Sequence, residues 1–369
     1  MADELSLAEF RKDVREWCRS NVPSGWRAEQ SGANEETVVA FQRRWRETLK
    51  SGGLLAPHWP RALGGRELSL AHQAVLAEEL ARADAPRLVL YHVAIYNAAP
   101  AILEFGTDEQ KSRFLPGIRD GEVWCQGFSE PGAGSDLAAL ATRAERRGDV
   151  YIVNGQKLWT SWARYADWCF LLVRTDPAAP KQRGISYLVM DMRSPGVEVR
   201  PIREATGAAE FCELFLTDLE VPVANLLGEE NKGWQVAQTT LASERGVTIL
   251  ELAERLNRNG FQHLVECADS WTADDGSRVL ADPGVREQLG GFYGEVQILR
   301  AMCQQLIDTM IAKGGVGTEA SIVKVYYSEL LQRMMNFAVE LRGLPAQLSY
   351  PLLLSAGWET GNWLGDFVN

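Results

Sequence analysis

The hydrophobic period changes twice along this 369-residue chain, and that double change restricts the fold more than any single residue does. From Leu7 to about Asp120 apolar residues recur three and four apart, as in Phe10, Val14 and Trp17, and again in Leu76, Leu80 and Ala83. Breaks fall at Pro23-Ser24-Gly25 and Leu63-Gly64-Gly65. Between about Gly121 and Leu227 the pattern becomes short β-rich runs: VWCQGFS, VYIVNGQKLW, WCFLLVRT, ISYLVMDM, VEVRPI and CELFLTDLEV. Turn signals such as Arg147-Gly148-Asp149, Asn154-Gly155 and Ser194-Pro195-Gly196 separate them. No helical crossover joins one run to the next, so an antiparallel barrel or sandwich fits and a Rossmann sheet does not. From Gly233 helical spacing returns over roughly 234–269, 283–313 and 316–341, the mark of a helical bundle. The expected fold class is α+β: an N-terminal helical domain over residues 1–120, a middle antiparallel β-barrel over 121–228 and a C-terminal helical bundle over 229–369.

Composition narrows the function classes. A chain with 46% hydrophobic and 24% charged residues has ample core for a globular protein. Its 38 basic and 49 acidic side chains give a net charge of -11, which repels a polyphosphate backbone, so nucleic acid is not an expected partner. The start, MADELSLAEFRKDVREWC, carries charge where a signal peptide needs an apolar run, and the six cysteines lack CxxC spacing. Both point to reduced thiols and a cytoplasmic location. The apolar stretch Leu88–Phe105 is interrupted by His92, Asn97 and Pro100 and falls short of the roughly 20 residues a membrane span needs. A buried helix is expected there, not a membrane span. There is no P-loop, HExxH or GxSxG, and the four histidines are scattered. His263 and Cys267 sit four apart on one helical face, a spacing better explained by packing than by a metal, and no metal site is expected. Thr272–Ser277 reads as the loop between two long helices.

The informative segments are WCQGFSEPGAGSD, from Trp124 to Asp136, and VNGQKLWTS, from Val153 to Ser161. EPGAGSD is a glycine-rich turn whose backbone N–H groups, with the hydroxyls of Ser129 and Ser135, can hold polar ligand edges or phosphates. It is not a dinucleotide fingerprint, because the third glycine and the helix of a βαβ unit are missing. On spacing alone a plain glycine turn between strands explains it as well.

GFSEPGAGSDLA followed by VNGQKLWTSWARYADW strongly resembles the acyl-CoA dehydrogenase family. The likeness continues in ILEFGTDEQKSRFLPGI before the strands, LTDLEVPVANLLGEENKGW at their end and LASERG at the head of a long helix. The resemblance implies FAD against the barrel, with Gln126, Phe128 and Ser129 facing the isoalloxazine and Gly134 in the turn beside it. Ser135 would touch the flavin pyrophosphate or the CoA arm. Trp159, Thr160 and Ser161 match the segment that covers one ring face and hydrogen-bonds near N5. The implied reaction is α,β-desaturation of an acyl-CoA thioester: a carboxylate in a dry pocket takes the α-proton while the β-hydrogen leaves as hydride to flavin N5. Many members carry that Glu late in the bundle, where this chain has no equivalent. A minority place it before an Arg on the first long bundle helix, here Glu244 before Arg245, with Leu241 and Arg245 lining the acyl-CoA cleft. Ala237, Leu241, Glu244 and Thr248 recur at helical spacing and Glu251 continues the stripe. The relocated base goes with bulky or branched acyl groups, steroid side chains among them.

The chain also departs from the family pattern. The Arg-x-x-Phe-Gly segment that completes a neighbour's flavin site reads Thr272-Ala273-Asp274-Asp275-Gly276, and the region of the later Gln-x-x-Gly-Gly turn reads Val339-Glu340-Leu341-Arg342-Gly343-Leu344-Pro345. An acidic loop is a poor cradle for a pyrophosphate. The usual Gly-Gly-Thr turn and last helix would follow Asn369, so the sequence is either trimmed or complemented by a partner. These departures imply a two-plus-two heterotetramer with a homologous subunit, similar to actinobacterial enzymes of steroid side-chain thioesters, with a homotetramer as the other arrangement. An electron-transfer flavoprotein would be the electron acceptor. Two other functions remain open: a non-catalytic partner subunit, and a flavin oxidase of the same fold acting on another α-acidic substrate.

Overall fold

The computed structural model describes residues 6–30, 33–205, 208–243, 247–273, 275–313 and 317–343. Six helices come first: α1 (Leu7–Asn21), α2 (Trp26–Gln30), α3 (Glu35–Ser51), α4 (Leu70–Arg82), α5 (Ala99–Phe105) and α6 (Asp108–Asp120). Local chemistry sets their ends. Ser6 with Glu9, and Thr107 with Gln110, close reciprocal capping boxes on α1 and α6, and Gly121 ends α6 in the left-handed region at φ 109°. The Leu88–Phe105 run is buried as expected, but Val93–Ala98 ahead of α5 winds as a π-helix. Pro100 has no N–H to give Tyr96's carbonyl, and the Ser243 hydroxyl lies 2.5 Å from that oxygen instead.

The middle of the chain forms a curled sheet of β1 (Trp124–Gly127), β2 (Arg143–Arg147), β3 (Val150–Ser161), β4 (Trp168–Arg174), β5 (Ile185–Asp191), β6 (Val197–Pro201) and β7 (Phe211–Pro222). The path runs β1-β4-β2-β3-β7-β6, with β5 on β4. Two findings depart from the sequence expectation. The sheet is not wholly antiparallel, because β1 runs parallel to β4 and β2 meets β4 in parallel at one residue pair. The β2–β3 hairpin and its flanking loops carry the chain back for that pairing without any α-helix. β2 itself, RAERR, escaped notice because only Ala144 is buried and its four charged side chains show no apolar alternation. β4 and β5 are buried on both faces. Trp168, Phe170, Ile185 and Tyr187 pack with the first helices, and Cys169, Leu171, Leu188 and Met190 fill the inner side of the sheet.

The last third holds α7 (Gly233–Ser243), α8 (Val247–Arg255), a π-helical stretch Leu256–Gln262, α9 (His263–Ser270), α10 (Pro283–Lys313) and α11 (Glu319–Arg342). Val236 and Ala237 of α7 belong to the core of the first helices and sheet, whereas Leu250 and Ala253 of α8 face the core shared by α9, α10 and α11. The Thr272–Ser277 loop is pinned by Ala273 N–H to Ser277 O at 2.8 Å. His263 and Cys267 touch, Nε2 to Sγ at 3.6 Å, and among the described residues no group of three or more metal-ligating side chains gathers. All six cysteines are free thiols.

Candidate functional site

The two sequence motifs meet at the sheet. Beyond Gly127 the chain continues alongside β3, and the Leu158 N–H donates to Ser129 O at 2.8 Å. Lys157, fully buried, fixes this junction: its Nζ donates to Glu130 Oε1 at 2.7 Å and to Phe128 O at 3.1 Å. The Glu130 carboxylate also accepts the N–H groups of Ala141 (2.6 Å) and Thr142 (2.9 Å). Burial pushes the Glu130 pKa up, but the Lys157 charge and these hydrogen bonds outweigh it and hold the group below the ordinary carboxylate value. The glycine turn closes on itself through reciprocal Glu130 and Ala133 backbone bonds, each 3.0 Å. Gly134 and Ser135 are exposed on it, and a Cβ added at Gly132 or Gly134 would meet nothing within 4 Å.

On β3 the register against β7 shifts between Lys157 and Thr160, and Trp159 sits at φ 60°. A left-handed backbone under so bulky a side chain is strained by about 1–3 kcal/mol, and such strain gathers at ligand sites. The ring is 54% exposed, with Phe211 edge-on at 6.0 Å. Ser161 is half-buried beside it, while Thr160 is fully buried and its hydroxyl finds no hydrogen-bond partner among the described residues. Gln126 is half-buried on β1 opposite Phe170. The Phe128 ring is buried edge-on to Phe170 and Tyr187, so only its backbone is left for a ligand. An exposed aromatic face, a rim of strand backbone and an open glycine turn fit a flavin: a planar ring system against Trp159, polar edges along residues 126–129, phosphates near Gly134 and Ser135.

A second feature lies next to α7 and α8. Leu241 is half-buried against the first core, and Ser243 bonds to Tyr96. Glu244 and Arg245 lie outside the described residues. On their far side Thr248, Glu251 and Arg255 share one face of α8 and line a cavity with Arg87, His92 and Tyr96, its empty volume about 820 Å³ with the open mouth counted in. Arg255 Nε donates to Glu251 Oε1 at 2.9 Å, and its Nη2 donates to Ala85 O at 2.7 Å. Burial raises the Glu251 pKa, yet the Arg255 and Arg87 charges overcome it and keep the carboxylate ionised. Burial pushes the His92 imidazole down to about 4, so it is neutral at physiological pH. The two π-helical stretches found among the described residues both border this cavity, one at Tyr96 and one directly after Arg255.

Sequence reasoning singled out two motifs that do lie side by side but missed the charged lining. His92 registered only as an interruption of an apolar run, and Glu251 as one more residue of a stripe. The available signal was the Glu251–Arg255 pair at i,i+4 on that same stripe.

Comparison with known proteins agrees with this layout. Residues 6–122, 125–219 and 231–351 match, in order, the N-terminal, middle and C-terminal domains of acyl-CoA dehydrogenases. The acyl-CoA dehydrogenase IpdE1 of Mycobacterium tuberculosis is 42% identical over 299 residues, 80% of this chain and 76% of that one. Among solved structures, the Tcur3481–Tcur3483 steroid acyl-CoA dehydrogenase superposes with a TM-score of 0.81 at 30% identity, covering 99% of this chain and 92% of the other. The ChsE4–ChsE5 complex from Mycobacterium tuberculosis superposes at 0.77 and 31%, covering 100% and 94%. Fold, motif placement and relatives agree, and the chain belongs to the acyl-CoA dehydrogenase family.

Proposed function

We propose that this chain is the catalytic subunit of an FAD-dependent acyl-CoA desaturase whose three domains are helical (1–120), β-sheet (121–228) and helical (229–369). The observation that carries the reading is the strained, exposed Trp159 beside the backbone rim of residues 126–129. When bound there, FAD supplies the hydride acceptor. Gln126, Phe128, Ser129, Gly134, Ser135, Thr160 and Ser161 hold it, Thr160 through its backbone. Glu244 takes the α-proton, and Leu241 and Arg245 shape the thioester cleft. Support for that assignment comes from the neighbours on either side: Ser243 is bonded to Tyr96, and Thr248 lines the cavity.

The substrate is a bulky or branched acyl-CoA, steroid side chains included, in keeping with the steroid acyl-CoA dehydrogenase among the structural relatives. The chain works with a homologous subunit and passes electrons to an electron-transfer flavoprotein. Two solved relatives are two-component assemblies. Five of the seven large apolar side chains exposed among the described residues lie on α10 and α11, namely Tyr293, Ile298, Ile311, Ile322 and Val325, which suits a bundle that associates. The six free cysteines suit the cytoplasmic location we propose, and no helix of the described residues is long and apolar enough to cross a membrane.

Anaerobic bleaching of the flavin by acyl-CoA tests the core of the proposal. Glu244→Gln should slow bleaching by about 10²–10⁴-fold while flavin stays bound. Undiminished bleaching removes Glu244 from the role, and full FAD occupancy in a chain purified alone as a homotetramer removes the partner.

A further inference from the structure

Three described charges face the cavity at α8: the Arg87 and Arg255 guanidiniums and the Glu251 carboxylate. Glu251 and Arg255 pair with each other, so the described charges leave one cation in excess. Arg87 forms no ion pair with a described carboxylate, although its charge acts on Glu251, His92 and Tyr96. The His92 imidazole and Tyr96 ring lie 5.0 Å apart, and among the described residues neither the imidazole nor the Tyr96 hydroxyl makes a hydrogen bond. His58 adds a second imidazole to the lining.

A plain hydrocarbon chain pressed into this space would strip water from a guanidinium, an imidazole and a phenol and return no hydrogen bond. Each such group left dry and unpaired costs about 1–3 kcal/mol. The cavity therefore selects against the ligand an apolar acyl pocket would favour, unless the ligand brings oxygen to these donors.

We infer that the cavity lined by Arg87, His92, Tyr96 and the Glu251–Arg255 pair is the receptor for the far end of the acyl group, and that this end carries an oxygen function. The shared chemistry is a hydrogen-bond acceptor directed at Arg87 and the flanking ring donors. A ring ketone, a hydroxyl and a carboxylate all provide it. Arg87 and Glu251 are specificity-determining residues, and neither takes part in proton or hydride movement. The inference rests on the desaturase reading above and adds the chemical class of the substrate's distal end.

The experiment uses the FAD-loaded chain together with any subunit it needs for loading. Anaerobic flavin reduction is followed with cyclohexylpropanoyl-CoA and with its ring-oxo, ring-hydroxy and ring-carboxy counterparts. At least one oxygenated thioester should exceed the plain parent in kcat/KM by about 10-fold or more. Arg87→Met should bring that ratio to within about twofold of unity, mostly through KM, and Glu251→Gln should lower it as well. Preference for the carboxylate identifies Arg87 as a charge receptor, and preference for the ketone or alcohol identifies the cluster as a neutral hydrogen-bonding one. Equal turnover of all four thioesters overturns the inference while leaving the desaturase intact. A preference that survives in both variants overturns it too. If none of the four bleaches the flavin, the desaturase reading falls and takes this inference with it.

Discussion

Two of the interior carboxylate–cation pairs among the described residues, each with a fully buried cation, are built to opposite ends. Glu130 and Lys157 are closed: both carboxylate oxygens are engaged, by one ammonium and two backbone N–H groups, and Lys157 reaches Phe128 O as well. Glu251 and Arg255 are open: the Glu251 side chain remains 23% exposed, and Arg87 stands near without an ion-pair contact among the described residues. A closed pair fixes geometry, here the junction of two motifs beside Trp159. An open pair leaves interaction potential for something else to use.

The contrast can be broken most forcefully at Lys157. Lys157→Met leaves Glu130 buried without its cation and should cost about 3–5 kcal/mol, read as a fall in the urea midpoint. Adding Glu130→Gln should recover part of it. Acid separates the two regions next. His92 and His58 are each held near 4 by burial, below the ordinary imidazole value of 6.5, so the unfolded chain binds more protons between those values. Stability is therefore lost as pH falls through that window, by about 2 kcal/mol for each imidazole between about pH 7 and pH 5. Glu130, with its pKa depressed, keeps its contribution over that range and loses it only below the ordinary carboxylate pKa. Urea midpoints across the range should show a first decline that His92→Gln reduces. Glu251→Gln should cost less than Lys157→Met, about 1–2 kcal/mol, because Arg255 keeps Ala85 O. Equal losses in the two variants would erase the distinction drawn here. Gly134→Ala is the mildest test. The added methyl meets nothing, and the fold should change by less than about 0.5 kcal/mol while FAD retention after gel filtration falls.

Much of this was legible in the sequence. The two changes of hydrophobic period correspond to helices, sheet and helices, and the motifs at Trp124–Asp136 and Val153–Ser161 do lie side by side. What the sequence hid has physical causes. β2 is charged along most of its length and pairs through its backbone, so side-chain pattern carries no signal. The parallel β1–β4 contact joins residues about forty apart, beyond any local rule. Thr160 lies between Trp159 and Ser161 in the motif but turns inward, which only the register shift at Trp159 reveals. The cavity unites residues 87–96 with 248–255, and only tertiary packing shows that a lone histidine in an apolar run faces an ion pair.

The reciprocal Glu130–Ala133 turn and the Lys157 anchor have a kinetic consequence. The glycine loop is already ordered when the chain folds, so cofactor capture need not wait for a segment to find its shape. For the enzyme proposed above, FAD association should then be limited by encounter and by the arrival of the proposed partner subunit, with a rate that rises linearly with cofactor concentration and shows no plateau from loop rearrangement.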